Sequence, residues 1–248
     1  MLVLNRIKQL SSVTFAKFER NYHNFNPRLK PNSLSAVLHK SFVSQRFHPN
    51  TCWKCGLERK SVAGLFCDQC KVLQTPLETK NFFRIFNLDE KFDIDAKELH
   101  MQYRRLQAQL HPDKFTQKTA EEKEISESFS SLVNKAYNNL QFPLKRAEHL
   151  LELRGDQLNE KENAVDDPEF LMEMMELNEE LENTTNVEKL KALNIKNRTQ
   201  LEIITKNIDE CFKENDLKQA KYFVIKMKYY TSLGNRINAI LRELGIVD

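Results

Sequence analysis

The sequence predicts an all-α protein: a helical hairpin followed by an antiparallel three-helix bundle, preceded by a small four-cysteine metal-binding module. Three observations predict it. Only 5 Gly and 7 Pro occur in 248 residues, against roughly thirty at average usage, which disfavours turn-rich β folds. Apolar residues recur at three- and four-residue intervals over long stretches downstream of residue 95, the period of one helix face. Four of the 5 cysteines crowd into residues 52–70 as two Cys-x-x-Cys pairs. The glycines, at 56, 64, 155, 234 and 245, form no phosphate-cradling loop, so nucleotide-binding enzymes lose their signature. No apolar run is long enough to read as a transmembrane helix.

Charge divides the chain. Residues 1–50 carry eight basic side chains and one acid, a net of +7, whereas residues 51–248 sum to −4. A basic, Ser-bearing, acid-poor start that is amphipathic around Leu2, Ile7 and Leu10 reads as a mitochondrial transit peptide, with a disordered basic arm as the alternative. Residues 1–50 are therefore left out of the fold. Downstream, residues 156–188 hold twelve acids and one base, and residues 189–248 hold twelve bases and seven acids. Oppositely charged segments of one chain are expected to pack on each other, and the acidic one would repel nucleic acid.

The module of residues 51–75 opens with Cys52-Trp-Lys-Cys55 and closes, after eleven residues, with Cys67-Asp-Gln-Cys70. Two residues between thiolates let a tight turn aim both sulfurs at one ion, and four sulfurs complete a tetrahedron around it. Gly56 suits the turn, and the gap accommodates a short hairpin from Glu58 to Phe66. A redox Cys-x-x-Cys would come once and beside a βαβ pattern, and disulfides are disfavoured in a reducing compartment. With four thiolates no coordination position stays open, so the site is structural and not hydrolytic. One divalent metal is expected, zinc first, although iron or an iron–sulfur cluster accepts the same ligands. Cys211, alone in a helical stretch, reads as an inert, partly buried thiol.

Asp95-Ala-Lys-Glu98 forms a capping box ahead of Leu99, Tyr103, Leu106 and Leu110, one helix face. Arg104 and Arg105 fall off that face. Pro112 stops the helix and leaves His111-Pro112-Asp113 at a bend. A second box, Thr119-Ala-Glu-Glu122, starts a helix carrying Ile125, Phe129, Leu132, Val133, Ala136 and Leu140. Pro143 opens a shorter helix with Leu144, Ala147, Leu150 and Leu151.

In the acidic segment after Pro168, Phe170, Met174, Leu177 and Leu181 lie within about 60° of one another on a helix. Leu171, Met172 and Met175 land roughly 100° to 200° away, beside Glu176 and Glu179. They form either a second apolar patch for a partner or the edge of a wider core. Leu190, Leu193, Leu201, Ile204, Ile208 and Phe212 mark the next helix. Asp216 caps the last, with Ala220, Phe223, Met227, Tyr230, Ile237, Leu241 and Leu244 inward and Tyr229 turned off that stripe.

His-Pro-Asp between a basic amphipathic helix and a second long helix, followed by Lys114-Phe115, resembles a J-domain, here residues 79–153. That family stimulates ATP hydrolysis by a seventy-kilodalton heat-shock chaperone. The resemblance implies Arg104, Arg105 and Lys114 as docking charges and His111, Pro112 and Asp113 as the trigger. Pro143 to Leu153 and Phe170 to Leu181 extend the likeness to the HscB family, co-chaperones of iron–sulfur cluster assembly, across about residues 81–248. In that family the bundle, here residues 160–248, binds an IscU-type cluster scaffold. Carried over, that role falls on Leu171, Met172, Met175, Glu176, Glu179 and Tyr229, and the four-cysteine module matches animal mitochondrial members. The resemblance implies a matrix co-chaperone, itself no enzyme, that activates the chaperone ATPase and promotes cluster transfer to recipient proteins. A second copy of the chain is a further candidate partner; nucleic acid and membrane are not. The rival readings are a general J-protein for unfolded clients, a zinc-ribbon nucleic-acid binder, and an enzyme using an open metal position.

Overall fold

The computed structural model describes residues 50–59, 64–158 and 167–246. The transit-peptide reading of residues 1–50 thus lies outside the described residues but for Asn50. Among the described residues seven α-helices follow the cysteine module: α1 (Phe82–Ile85), α2 (Ala96–Leu110), α3 (Ala120–Leu140), α4 (Pro143–Leu153), α5 (Pro168–Asn183), α6 (Val187–Glu214) and α7 (Leu217–Glu243). A 3-10 turn, Pro112–Phe115, joins α2 to α3. Among the described residues the only β-type pairings are two isolated bridges in the module, so the all-α reading holds.

Local chemistry sets the helix starts. Asp95 Oδ1 accepts from the N–H groups of Lys97 at 2.8 Å and Glu98 at 3.4 Å; Thr119, Asp167, Asn186 and Asp216 cap α3, α5, α6 and α7 in the same way. Pro143 and Pro168 occupy first helical positions, where the missing N–H costs nothing. The Thr119 box is half made. Glu122 is buried and accepts from Leu73 N–H in a long contact of 3.5 Å, so its carboxylate serves the cysteine module instead of its own cap.

Helices α2 and α3 run antiparallel. Tyr103 stacks on Tyr137 with centroids 4.1 Å apart, and Gln107 reaches Ser130 and Asn134 one turn further on. Ser126 Oγ donates to the Leu110 carbonyl at 2.7 Å in the buried seam, satisfying a terminal carbonyl of α2 next to the bend. Short α1 is pinned on α4: the Phe82 N–H donates to His149 Nε2 at 3.1 Å, with the ring stacked on Phe82.

In the bundle, α6 runs antiparallel to α5 and α7. The α6–α7 turn is made by Asn215 in a left-handed conformation, φ 58°, followed by the Asp216 cap. Gly234 of α7 sits where an added Cβ would lie 2.7 Å from Asn197 Nδ2 of α6, so its lack of a side chain permits the close crossing. The charge asymmetry resolves into ion pairs. Asp156, Asp167 and Glu182 of the acidic stretch meet Lys221, Lys226 and Arg236 of the basic one.

One core cluster runs through all of this, from Leu65 and Leu73 of the module to Ile237 and Leu241 of α7. The predicted stripe Phe170, Met174, Leu177 and Leu181 is buried throughout. Leu244 is a correction: it is 47% exposed, because α7 ends at Glu243 and its C-terminal cap points outward.

Candidate functional site

Three groups of side chains stand out. In the module, each Cys-x-x-Cys pair forms its own knuckle. The Cys52 N–H donates to the Leu57 carbonyl at 2.7 Å and the Gly56 N–H to the Cys52 carbonyl at 3.0 Å; Cys67, Val72 and Lys71 repeat the pattern. Thr51 bridges Glu58 and Phe66 bridges Leu73. The expected hairpin from Glu58 to Phe66 falls on residues 60–63, outside the described residues; among the described residues the β-type pairing lies within each knuckle, because each Cys-x-x-Cys turn folds its own flanks together.

The two knuckles face each other. Cys52 Sγ lies 3.6 Å from Cys70 Sγ, and Cys55 Sγ 3.6 Å from Cys67 Sγ; all four sulfurs fall within 4.8 Å of one another. Tetrahedral zinc with about 2.3 Å bonds needs sulfurs about 3.8 Å apart, so the four thiolates fit such an ion. All four cysteines are free of disulfides. Burial disfavours the Cys52 thiolate, but the N–H groups of Cys55 and Lys54 and the neighbouring thiols outweigh it and bring its pKa to about 6. At Cys70 the Val72 N–H favours the thiolate, yet burial and the three other cysteines push the pKa up to about 12. Arg59 braces the module, donating to the carbonyls of Thr75 at 2.8 Å and Gly64 at 3.0 Å. Burial lowers its pKa, while the charges of Cys52 and Cys67 work the other way. Its guanidinium thus offsets the negative charge of a four-thiolate site.

The second group is the bend at the hairpin tip. His111, Pro112, Asp113 and Lys114 are all exposed, and Phe115 behind them is buried. The ring of His111 accepts the Asp113 N–H at Nδ1, 3.3 Å away, and Thr116 Oγ1 donates to the Asp113 carbonyl at 3.1 Å. The loop is thus held by its own hydrogen bonds while its side chains face solvent. Arg104 and Arg105 are exposed on α2, giving a basic surface that leads to the bend.

The third group is on α5. Met172 is 62% and Met175 40% exposed, Leu171 is half-buried, and Glu176 and Glu179 are exposed. Met172 and Met175 thus stand outside the core, and Leu171, though half-buried, is not part of the core cluster. Tyr229 packs edge-on against Phe170 at 5.5 Å, so it borders the helix turn that carries Leu171. Behind it Asp167 accepts from Tyr222 Oη at 2.5 Å and pairs with Lys226 at 3.0 Å. Those contacts, with the Phe170 N–H, hold the Asp167 carboxyl at about 2. Tyr230 Oη donates to Glu173 at 3.0 Å. These latches fix the patch against α7, and sequence periodicity carries no sign of them.

Comparison with known proteins decides the family. Residues 81–149 match the DnaJ domain and residues 166–238 match the HSCB C-terminal oligomerisation domain. The mouse iron–sulfur cluster co-chaperone protein HscB is 36% identical over 188 residues, spanning 75% of this chain and 80% of the mouse protein. The chain belongs to the HscB family. It is an iron–sulfur cluster co-chaperone of the J-domain class. The crystal structure of human co-chaperone HscB superposes with a TM-score of 0.72 at 33% identity, covering 79% of this chain and 99% of the human one. The HscB chaperone from Vibrio cholerae gives 0.61 at 31% identity, over 66% of this chain and 99% of its own. HscB membership accounts for a J-domain and a helical bundle in one chain.

Proposed function

We propose that this HscB-family chain holds a cluster-loaded, IscU-type scaffold on its bundle and presents it to a seventy-kilodalton heat-shock chaperone whose ATPase its J-domain stimulates. The observation that carries this reading is the exposed His111-Pro112-Asp113 bend beside Arg104, Arg105 and Lys114, on the same body as the exposed Met172–Met175 face. The basic surface suits an acidic docking face on the chaperone, and ATP is hydrolysed in the partner, so this chain needs no catalytic group. Leu171, Met172 and Met175 offer apolar contact, Glu176 and Glu179 an acidic edge, and Tyr229 an amphipathic anchor. Methionine side chains adapt to a partner that must be released again. In this reading residues 1–50 are a presequence for the mitochondrial matrix, 51–75 a zinc-holding module, 79–153 the J-domain and 160–248 the scaffold-binding bundle.

Leu171→Ala with Met175→Ala should abolish scaffold binding by calorimetric titration and leave basal stimulation of chaperone ATPase unchanged; unaltered scaffold affinity would refute the assignment. His111→Gln should do the reverse, keeping scaffold affinity and losing stimulation.

A further inference from the structure

Gln74 is 1% exposed, and nothing in a metal-binding motif asks for a glutamine there. Its Nε2 lies 3.3 Å from Cys52 Sγ, 3.0 Å from the Val72 carbonyl and 3.3 Å from the Leu73 carbonyl. Three acceptors converge on one end of the carboxamide, which identifies that end as the NH2 group. A buried amide is costly unless its hydrogen bonds are made, and here one of them goes to a sulfur of the four-cysteine cluster. Metal centres depend on such outer groups, because a donor to a ligand atom fixes its direction and favours its charged form.

The two knuckles show that this position is built for the purpose. Shifting by fifteen residues superposes Thr51 on Phe66, Cys52 on Cys67, Gly56 on Lys71 and Arg59 on Gln74. The backbone agrees, since Arg59 N–H donates to the Asn50 carbonyl and Gln74 N–H to the Leu65 carbonyl, its counterpart. Each knuckle therefore closes with a donor side chain at the same place: Arg59 spends its donors on the carbonyls of Thr75 and Gly64, whereas Gln74 places its donor directly on the Cys52 sulfur.

The residue before Gln74 reaches the J-domain. The Leu73 carbonyl that Gln74 shares is bonded by Trp53 Nε1 at 2.6 Å. The Leu73 N–H reaches Glu122 of α3, and its side chain is fully buried in the main core. We propose that Gln74 is a positioning residue of the metal centre: its amide orients Cys52 as a thiolate ligand and ties the ligand set to the Val72–Leu73 segment that docks on α3. The inference rests on the reading that the four cysteines hold a divalent ion.

The test uses the full chain, loaded with zinc for chelator competition and with cobalt(II) for absorption spectroscopy. Gln74→Met keeps the volume and removes the donor; Gln74→Glu keeps the shape and replaces the donor with an acceptor. Both should weaken zinc binding about ten- to a hundredfold and shift the thiolate-to-cobalt charge-transfer band, with the stoichiometry still one ion per chain. Gln117→Met is the control: Gln117 is exposed on the loop before α3, outside the module, and should change neither readout. A purely packing role would lower the melting temperature of the metal-free and loaded forms alike and leave affinity and spectrum in place. Wild-type affinity and spectrum in either folded Gln74 variant would overturn the proposal. Wild-type protein that takes up no zinc would instead overturn the metal reading beneath it.

Discussion

At Lys71 a lysine adopts the left-handed backbone that glycine adopts at Gly56, φ 56° against 73°. The second knuckle needs that angle to bring the Lys71 N–H to the Cys67 carbonyl, and a side chain there strains it. Lys71→Gly should relieve that strain, partly offset by glycine's greater freedom in the unfolded chain, for a net gain of about 0.5 to 1 kcal/mol. Thermal unfolding of the zinc-loaded protein would register it; a lower melting temperature would mean that the lysine side chain has a role of its own. The cysteines were legible because ligand spacing is local. Arg59, Gln74 and Glu122 were not, because each acts on a partner supplied by the fold. The fifteen-residue offset was present in the sequence and would have placed the bridges within the knuckles. Leu171, Met172 and Met175 were legible by angle alone, whereas the Asp167–Tyr222–Lys226 latch that steadies them joins residues more than fifty positions apart.

Helix starts were readable for the same reason: Asp95, Thr119 and Asp216 bond backbone groups two or three residues on. What an element does with its far side was not readable, and His149 is the clearest case. It looks like a polar interruption of the α4 face, but it is buried and holds α1 by accepting the Phe82 N–H. Burial lowers its pKa below the ordinary 6.5, against the raising influence of Glu152 and Glu90. The folded form thus takes up a proton less readily than the unfolded chain. Its stabilising contribution is complete above about pH 6.5 and is lost as pH falls through the lower folded value. His149→Gln keeps an acceptor and cannot charge, so urea unfolding between pH 8 and 5 should show a shallower loss of stability on the acid side than wild type. Parallel curves would show that another group titrates there.

The whole molecule depends on a joint between hairpin and bundle. Phe92 stacks on Phe212 of α6 with centroids 6.0 Å apart, and the Arg146 guanidinium lies 5.0 Å above the Phe92 ring. Arg146 is half-buried; burial lowers its pKa, while the charges of Asp93 and Asp209, one from each side of the joint, act the other way. Arg154 adds a bond to Asn215 at 2.8 Å, and Asp156 pairs with Lys221. Composition announced that the two charged segments would meet, and they do; aromatic stacking across the joint has no periodicity to betray it. Phe212→Ala should destabilise the protein by about 3 to 5 kcal/mol, and calorimetry should then resolve two transitions where the wild type gives one. A single transition at an unchanged temperature would show that hairpin and bundle are held by other contacts.

Among the described helices α7 comes latest in the sequence, and it supplies Lys221, Tyr222, Lys226, Tyr229 and Tyr230 to contacts with segments made much earlier. Residues 81–153, by contrast, find most of their partners among themselves. At about 5 to 20 residues per second of synthesis, α7 is completed on the order of 5 to 20 s after α4. During that interval a nascent chain carries a finished hairpin with its tip exposed, while α5 and α6 wait with their apolar faces unmatched. Maturation is therefore sequential: the hairpin forms first, and the bundle closes only when α7 arrives.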